Sequence, residues 1–576
     1  MKSPTLSPVS SDGCPAIAVF GAGIAGLTVA HELSLRGWRV TVYEVNQEVG
    51  GFFRSARAKE DDGMPSEYSW HGIGPWYANT LAVMKQIEVI PGLSVYDHAL
   101  SRPVSFAMVP DEGPPMFDAC NRFRMTRLDL LRWGWLMLKT WTAGRRSREV
   151  YAGINAAEAY RPLLSDVAWK TWRASFGPWV GSDWLNVSLH QVGLFFRKQF
   201  FAGEPHQHRA DDDGPAWTHG SRVGWLVLRG PSSEAWFDPW VKVLESRGVQ
   251  FRYGAELAKL ELEDPSLQLD LTDDGTLGVS PMPLRISKAK LASGESIEAD
   301  DYVLATNPFA ARDVIGRTPD LSTLDELKLL EPLVQDGPHT QVSFRIAFAE
   351  RIEWPRERPA VVIADSPWNI TICPQEQVWH ADEDLGPGVK SLWTGTACVS
   401  QIRGHVHGIV LEDCSEEQFV DEIMAQISSC SALRTMLMDA NQGRAWDDQV
   451  VRVEVWHEWI FSPQTGIDHP QPKWVNTTNT QPFLPGQATP ISNLFIAGAH
   501  TRTDADVWSI EAAVESGRRV AKLLEPDVPV VGEYIPSPLR LARGLDDLCY
   551  RLRLPHVIDL VLVSAVFLIL VLACAI

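Results

Sequence analysis

The chain has 576 residues, of which 45% are hydrophobic and 22% charged, so it can bury large cores and is not a disordered polymer. Its net charge of −20 and pI near 5.2 exclude general nucleic-acid binding, which needs Lys and Arg to displace counterions from phosphate. A mean hydropathy of −0.10 excludes a polytopic membrane protein. At the N-terminus, MKSPTLSPVSSDG lacks the apolar stretch of a signal peptide. Eight cysteines are scattered along the chain without a CxxC pair and read as reduced thiols of a cytosolic body.

The first ordered signal is a buried-strand pattern over 16–20, followed by Gly21-Ala22-Gly23-Ile24-Ala25-Gly26 and a helical pattern from Ile24 to about Arg36. A second strand, 39–45, carries Glu44 near its end. In this setting GxGxxG predicts a dinucleotide site. Gly21 allows the tight turn, Gly23 lets the backbone approach a pyrophosphate, and Gly26 lets the helix pack on the strand. The helix start at Ile24 and Ala25 offers N–H groups and positive dipole to phosphate. Glu44 accepts hydrogen bonds from ribose hydroxyls and repels a 2′-phosphate, which disfavours an NADP-type ligand.

Gly50-Gly51-Phe52-Phe53-Arg54-Ser55 comes almost directly after the second strand. Near the other end, residues 493–521 read NLFIAGAHTRTDADVWSIEAAVESGRRVA. These segments resemble the GGxxxS extension and the C-terminal flavin segment of the FAD-dependent amine oxidase/phytoene desaturase superfamily. The motifs look closest to the phytoene desaturase/hydroxysqualene dehydroxylase-like group. The resemblance covers about residues 16–525 and implies FAD as cofactor. It also implies that Gly50, Gly51 and Arg54 lie near the cofactor, that the backbone at Leu257 meets the adenine part, and that Gly498, Ile510 and Glu511 lie in the flavin segment. The chain departs from the family pattern at Ala499, where an acidic residue is usual, and at Ala512, where glycine is common.

The fold implied is α/β: a discontinuous FAD-binding Rossmann domain interleaved with an α+β substrate domain. The expected segments are 14–100, 215–310 and 480–525 for the FAD-binding domain and 101–214 and 311–479 for the substrate domain. The family's amine oxidases usually carry a lysine early in the strand after the segment that resembles 299–308. Residues 337–348 contain none, and Ser509 stands where an aromatic cage residue is usual. Both features weaken an amine oxidase reading. His71 and His500 are the candidate catalytic groups, with a structural histidine as the plainer reading of His71. The HxH pairs His206/His208 and His405/His407 lack further ligands at metal spacing, so no metal is expected.

From Leu560 to Ile576 the chain runs seventeen residues without a charge, ~25 Å as a helix. With Arg540, Arg543, Arg551 and Arg553 just before it, the sequence predicts a single-pass transmembrane tail anchor at 557–576 with the catalytic body in the cytosol. A linker is expected at 526–556. The leading expectation is a membrane-anchored FAD oxidoreductase acting on a hydrophobic isoprenoid or other lipid-like substrate, its electron acceptor unspecified. An FAD-dependent oxidase of amines or specialised metabolites stands second. A flavin-bound isomerase or non-catalytic scaffold stands third.

Overall fold

Apolar and β-branched residues set the central layer. The strands Ala16–Phe20 and Arg39–Glu44 are buried on both faces for most of their length, which suits a parallel sheet covered by helices. In the computed structural model they pair in parallel, with Ile17 opposite Val40. The model describes residues 13–565 except 69–70, 102–106, 112–123, 177–182, 202–224, 264–266, 272–276, 282, 319, 356–359, 463–465, 469–470 and 506. His206 and His208 therefore lie outside the described residues.

The parallel sheet is assembled from distant parts of the chain. Its order is Leu494–Ile496, Asp301–Leu304, Ala16–Phe20, Arg39–Glu44, Gln250–Tyr253. The helix Ile24–Ser34 crosses over it and packs against the helix Ile510–Leu524. Gly517 makes that approach possible: a Cβ there would sit 2.6 Å from the Ala25 carbonyl oxygen. A three-stranded antiparallel flap, Ser296–Ile297, Ile286–Leu291 and Leu257–Leu262, leads into the sheet.

A second sheet of six strands forms the other layer. Its order is Val450–Val455, Val342–Phe348, Ser391–Ala397, Thr371–Pro374, Val361–Ile363, Ala107–Val109. All neighbours are antiparallel except the last pair. Helices including Arg127–Thr142 and Leu189–Phe200 complete this half around an aromatic core of Tyr160, Trp172 and Phe176. The architecture is the α/β fold expected of a discontinuous dinucleotide-binding enzyme.

The transmembrane expectation is corrected. Among the described residues no helix is long and apolar enough to cross a membrane. The described part of the apolar tail is a helical stretch at 557–565; residues 566–576 lie outside the described residues. Its start is tied to the body. Lys139 Nζ donates to Asp559 at 2.7 Å, Asp546 accepts from the Val557 N–H at 3.2 Å, and His556 is buried. Asp559 is thus an ion-pair partner rather than a residue reaching for a membrane surface. The stretch expected as a linker, 526–556, carries the helix Ser537–Arg551. That helix docks through an Arg146–Asp546 ion pair at 3.1 Å and a 2.7 Å hydrogen bond from the Arg145 N–H to Asp547. The long-range partners of Asp546, Asp547 and Asp559 are what the hydropathy of the tail does not reveal.

Candidate functional site

Between the two layers lies a cavity of about 490 Å³ lined by residues of both the parallel sheet and the six-stranded one. Local sequence explains its first wall. Gly21 has φ +110 and lies so close to the returning strand that a Cβ would stand 2.5 Å from the Ala305 carbonyl oxygen. Gly23 ends the turn and begins the helix Ile24–Ser34 without a side-chain cap. A Cβ at Gly23 would meet no atom within 4 Å and would stand in the cavity. Ile24 and Ala25 line the same wall, where the first-turn amides of a helix have no intrahelical acceptor. Gly26 does not line it: a Cβ there would collide with the Gly21 carbonyl oxygen, so this glycine serves the packing of the turn.

Glu44 stands where the second strand opens into the cavity. Oε2 accepts from the Ala22 N–H at 2.6 Å, and Oε1 accepts from the Asn46 N–H at 3.0 Å and its Nδ2 at 2.7 Å. These bonds fix the carboxylate at the glycine turn. Leu257 and Arg317 line the same end. Gly50 and Gly51 also line the cavity, with the Gly50 N–H donating to the Ala22 carbonyl at 2.9 Å.

The opposite wall comes from the last segment. Gly498, Ala499 and His500 follow the strand Leu494–Ile496, and Ile510 begins the helix that Ser509 caps by accepting from the Ala512 N–H at 3.1 Å. His500 is buried with its Nε2 lacking a protein partner, and burial pushes its pKa down to about 3, so the ring is neutral at physiological pH. His71 packs on Phe53, ring centroids 4.1 Å apart, and lines the cavity beside Gly72.

Two residues named from the sequence point elsewhere. Arg54 is buried but lies outside the cavity lining. It donates to the Gly51 carbonyl at 2.9 Å and to Gln471 at 2.7 Å, pairs with Glu458, and lies over the rings of Tyr68 and Trp456. Glu511 lies behind the cavity. It accepts from the backbone and side chains of Asn79 and Thr80, four bonds of 2.7 to 2.9 Å at the start of the helix Ala78–Met84. Burial raises its pKa and these donors oppose that rise.

The cavity's far end was not visible in the sequence. Tyr77, Phe195 and Trp225 form an aromatic wall, with Phe195 and Trp225 stacked at 5.8 Å. Lys473 lines the same cavity, buried and donating to Gln341 Oε1. Burial lowers its pKa to about 8. Gln341 immediately precedes the strand Val342–Phe348 in the stretch 337–348 that holds no lysine, and the cavity receives a lysine from 132 positions further on. No local pattern around Lys473 signals this.

A family model described as flavin containing amine oxidoreductase matches residues 24–524. The chain belongs to this family. It is an FAD-dependent oxidoreductase. Among solved structures, one from a structure-based redesign of cofactor binding in putrescine oxidase, a triple mutant, superposes with TM-score 0.59 at 13% identity, covering 88% of this chain and 98% of that one. A putative protoporphyrinogen oxidase from Exiguobacterium sp. 255-15 gives TM-score 0.54 at 16% identity, covering 90% and 100%. At these identities the likeness is one of fold. An L-amino-acid oxidase of Siganus canaliculatus is 42% identical over 72 residues, which are 12% of this chain and 14% of that protein. The match therefore spans about a seventh of that relative's length.

The residues present fit the family's FAD. The open space at Gly23 accommodates a pyrophosphate that a side chain would displace. The unpartnered His500 Nε2 supplies a polar atom at the opposite wall.

Proposed function

We propose that the protein removes a hydride from an apolar substrate held in the aromatic end of this cavity. The observation that carries the reading is that one cavity is lined both by Gly23 and Glu44 and by the aromatic rings of Phe195 and Trp225. FAD, when bound, supplies a two-electron acceptor for C–H oxidation.

The chain's own residues do the rest. Glu44 holds ribose hydroxyls with the lone pairs not committed to Ala22 and Asn46. Gly21, Gly23, Ile24 and Ala25 would offer the turn and helix start to the pyrophosphate, and the backbone at Leu257 would meet the adenine part. Gly50, Gly51 and Gly498 keep the walls thin. The helix beginning at Ile510, whose first residue lines the cavity, would hold its positive end toward the flavin ring. His500, neutral, contributes one hydrogen bond and no charge. Tyr77 keeps its proton, because burial raises its pKa. The aromatic wall excludes water from the reacting carbon and selects for apolar surface.

A second reading, oxidation of an amine, is favoured by Lys473, since a lysine does reach the cavity although the expected strand lacks one. Anaerobic titration of the flavin-loaded protein separates the two. Bleaching of the oxidised flavin band by uncharged apolar compounds supports the first reading; bleaching confined to amines overturns it and supports the second.

A further inference from the structure

The strands Val342–Phe348, Ser391–Ala397 and Thr371–Pro374 are buried along their whole length, a setting that favours apolar side chains. One face departs from this. Ser343, Thr396 and Thr371 are register partners across the three strands, so their hydroxyl-bearing side chains form a row on one face of the sheet. Further along that face Gln341 lies beside Cys398, with its Nε2 3.1 Å from the Cys398 Sγ. Thr371, Thr396 and Gln341 line the cavity. Gln341 is committed to Cys398 and Lys473, and Thr396 Oγ1 lies 3.7 Å from the Cys398 Sγ. Thr371 differs. It is 2% exposed, and its Oγ1 is buried without a protein partner. A buried hydroxyl left so is costly unless a ligand or water satisfies it.

We propose that Thr371 is the receptor for an uncharged oxygen of the substrate, a carbonyl or a hydroxyl carried on an otherwise apolar body. The proposal deepens the apolar-substrate reading above and rests on it. A threonine hydroxyl has one proton to donate and two lone pairs, and a hydrocarbon can satisfy neither. Thr371 and Thr396 carry no charge, so a carboxylate or ammonium set against them would be desolvated without a counter-charge. A neutral oxygen needs only the donor that Thr371 offers. The aromatic rings of Tyr77, Phe195 and Trp225 line the same cavity and take the apolar body. One polar anchor among apolar walls fixes the orientation of a ligand, so Thr371 selects which carbon of the substrate is presented for oxidation.

The test uses the FAD-loaded full chain and three probes of one shape: benzylacetone, its analogue in which a methylene replaces the carbonyl oxygen, and the corresponding amine. Binding is measured by calorimetry, with flavin content read in parallel. The ketone should bind about threefold or more tighter than the methylene analogue, the worth of one neutral hydrogen bond, with the amine weakest. Thr371→Val keeps the shape and removes the hydroxyl. It should erase the difference by weakening the ketone alone, and Thr371→Ser should keep it. Equal binding of ketone and methylene analogue to the wild type overturns the receptor, whether or not the variants fold. So does a ketone preference that survives Thr371→Val, which would leave the hydroxyl to a resident water. If none of the three binds a protein that retains its flavin, or the amine binds tightest, the apolar-substrate reading falls with it.

Discussion

Arg518 Nε donates to Glu32 Oε1 at 2.8 Å, joining helices that lie 486 positions apart in the chain. Both side chains are buried. The same arginine reaches Asn79 Oδ1 at 3.3 Å, and Asn79 in turn donates to Glu511 at 2.8 Å. Arg518 therefore clamps the helix behind the glycine turn to the helix that begins at Ile510, so the two walls of the cofactor end move as one body. Without Arg518 the buried Glu32 keeps only Arg36, 3.1 Å from its other oxygen, so what is lost is one charge-assisted hydrogen bond to each of Glu32 and Asn79 rather than all pairing of the charge. Arg518→Met should lower the stability of the flavin-loaded protein by about 1.5–3 kcal/mol in urea unfolding and reduce flavin retention. A loss under 1 kcal/mol would show that the clamp carries little, a size ordinary for exposed pairs.

Glu44 has a local duty and a proposed cofactor duty, and substitutions separate them. Glu44→Gln keeps an acceptor oxygen for one of the two backbone N–H groups it serves, so the turn should persist. Loss of the charge should weaken FAD about tenfold, the worth of one charge-assisted hydrogen bond. Flavin-to-protein ratio after extended gel filtration reads this directly. Unchanged retention with unchanged circular dichroism would remove Glu44 from the cofactor site.

Stability should fall with acid in a window set by two histidines. Burial, aided at His31 by the charge of Arg247, holds His31 at about 4 and burial alone holds His500 at about 3. An unfolded histidine titrates near 6.5. Below that pH the unfolded chain binds protons that the folded chain refuses, so the stabilising difference is fully present above 6.5 and is lost as pH drops toward 3 to 4. Each histidine contributes a slope of about 1.4 kcal/mol per pH unit in that window. His500→Gln should flatten the pH dependence of unfolding between pH 6 and pH 4.5 by about one proton's worth. A parallel curve would mean that His500 titrates normally.

Proximity in the chain decides what could be read in advance. The strand, glycine turn and helix at 16–34 are contiguous, so each glycine's work is written in its neighbours: Gly21 against the returning strand, Gly23 open to the cavity, Gly26 closed against Gly21. The segment at Gly498 and Ile510 is legible for the same reason. Arg54 and Glu511 stand beside those motifs but turn toward partners about 400 positions away, Glu458 for one and Asn79 with Thr80 for the other. Lys473 enters the cavity because the strand region at Gln341 lies beside it in space, a placement no window of sequence contains. The tail is the opposite failure. Its hydropathy is a local signal, yet among the described residues no helix is long and apolar enough to cross a membrane, and Asp559 at its start pairs with Lys139.

The proposed FAD site is the cavity lined by Gly23. The direct measurement is the FAD content per chain of purified wild type and of Gly23→Glu, alongside Gly26→Ala. A Cβ at Gly23 meets no protein atom within 4 Å and stands in the cavity, so Gly23→Glu should fold and unfold as wild type without FAD does. A Cβ at Gly26 strikes backbone, so Gly26→Ala should lose stability by about 1–3 kcal/mol through overpacking. About one FAD per wild-type chain is expected, and almost none in a folded Gly23→Glu chain. Wild-type flavin content in a folded Gly23→Glu protein would contradict it.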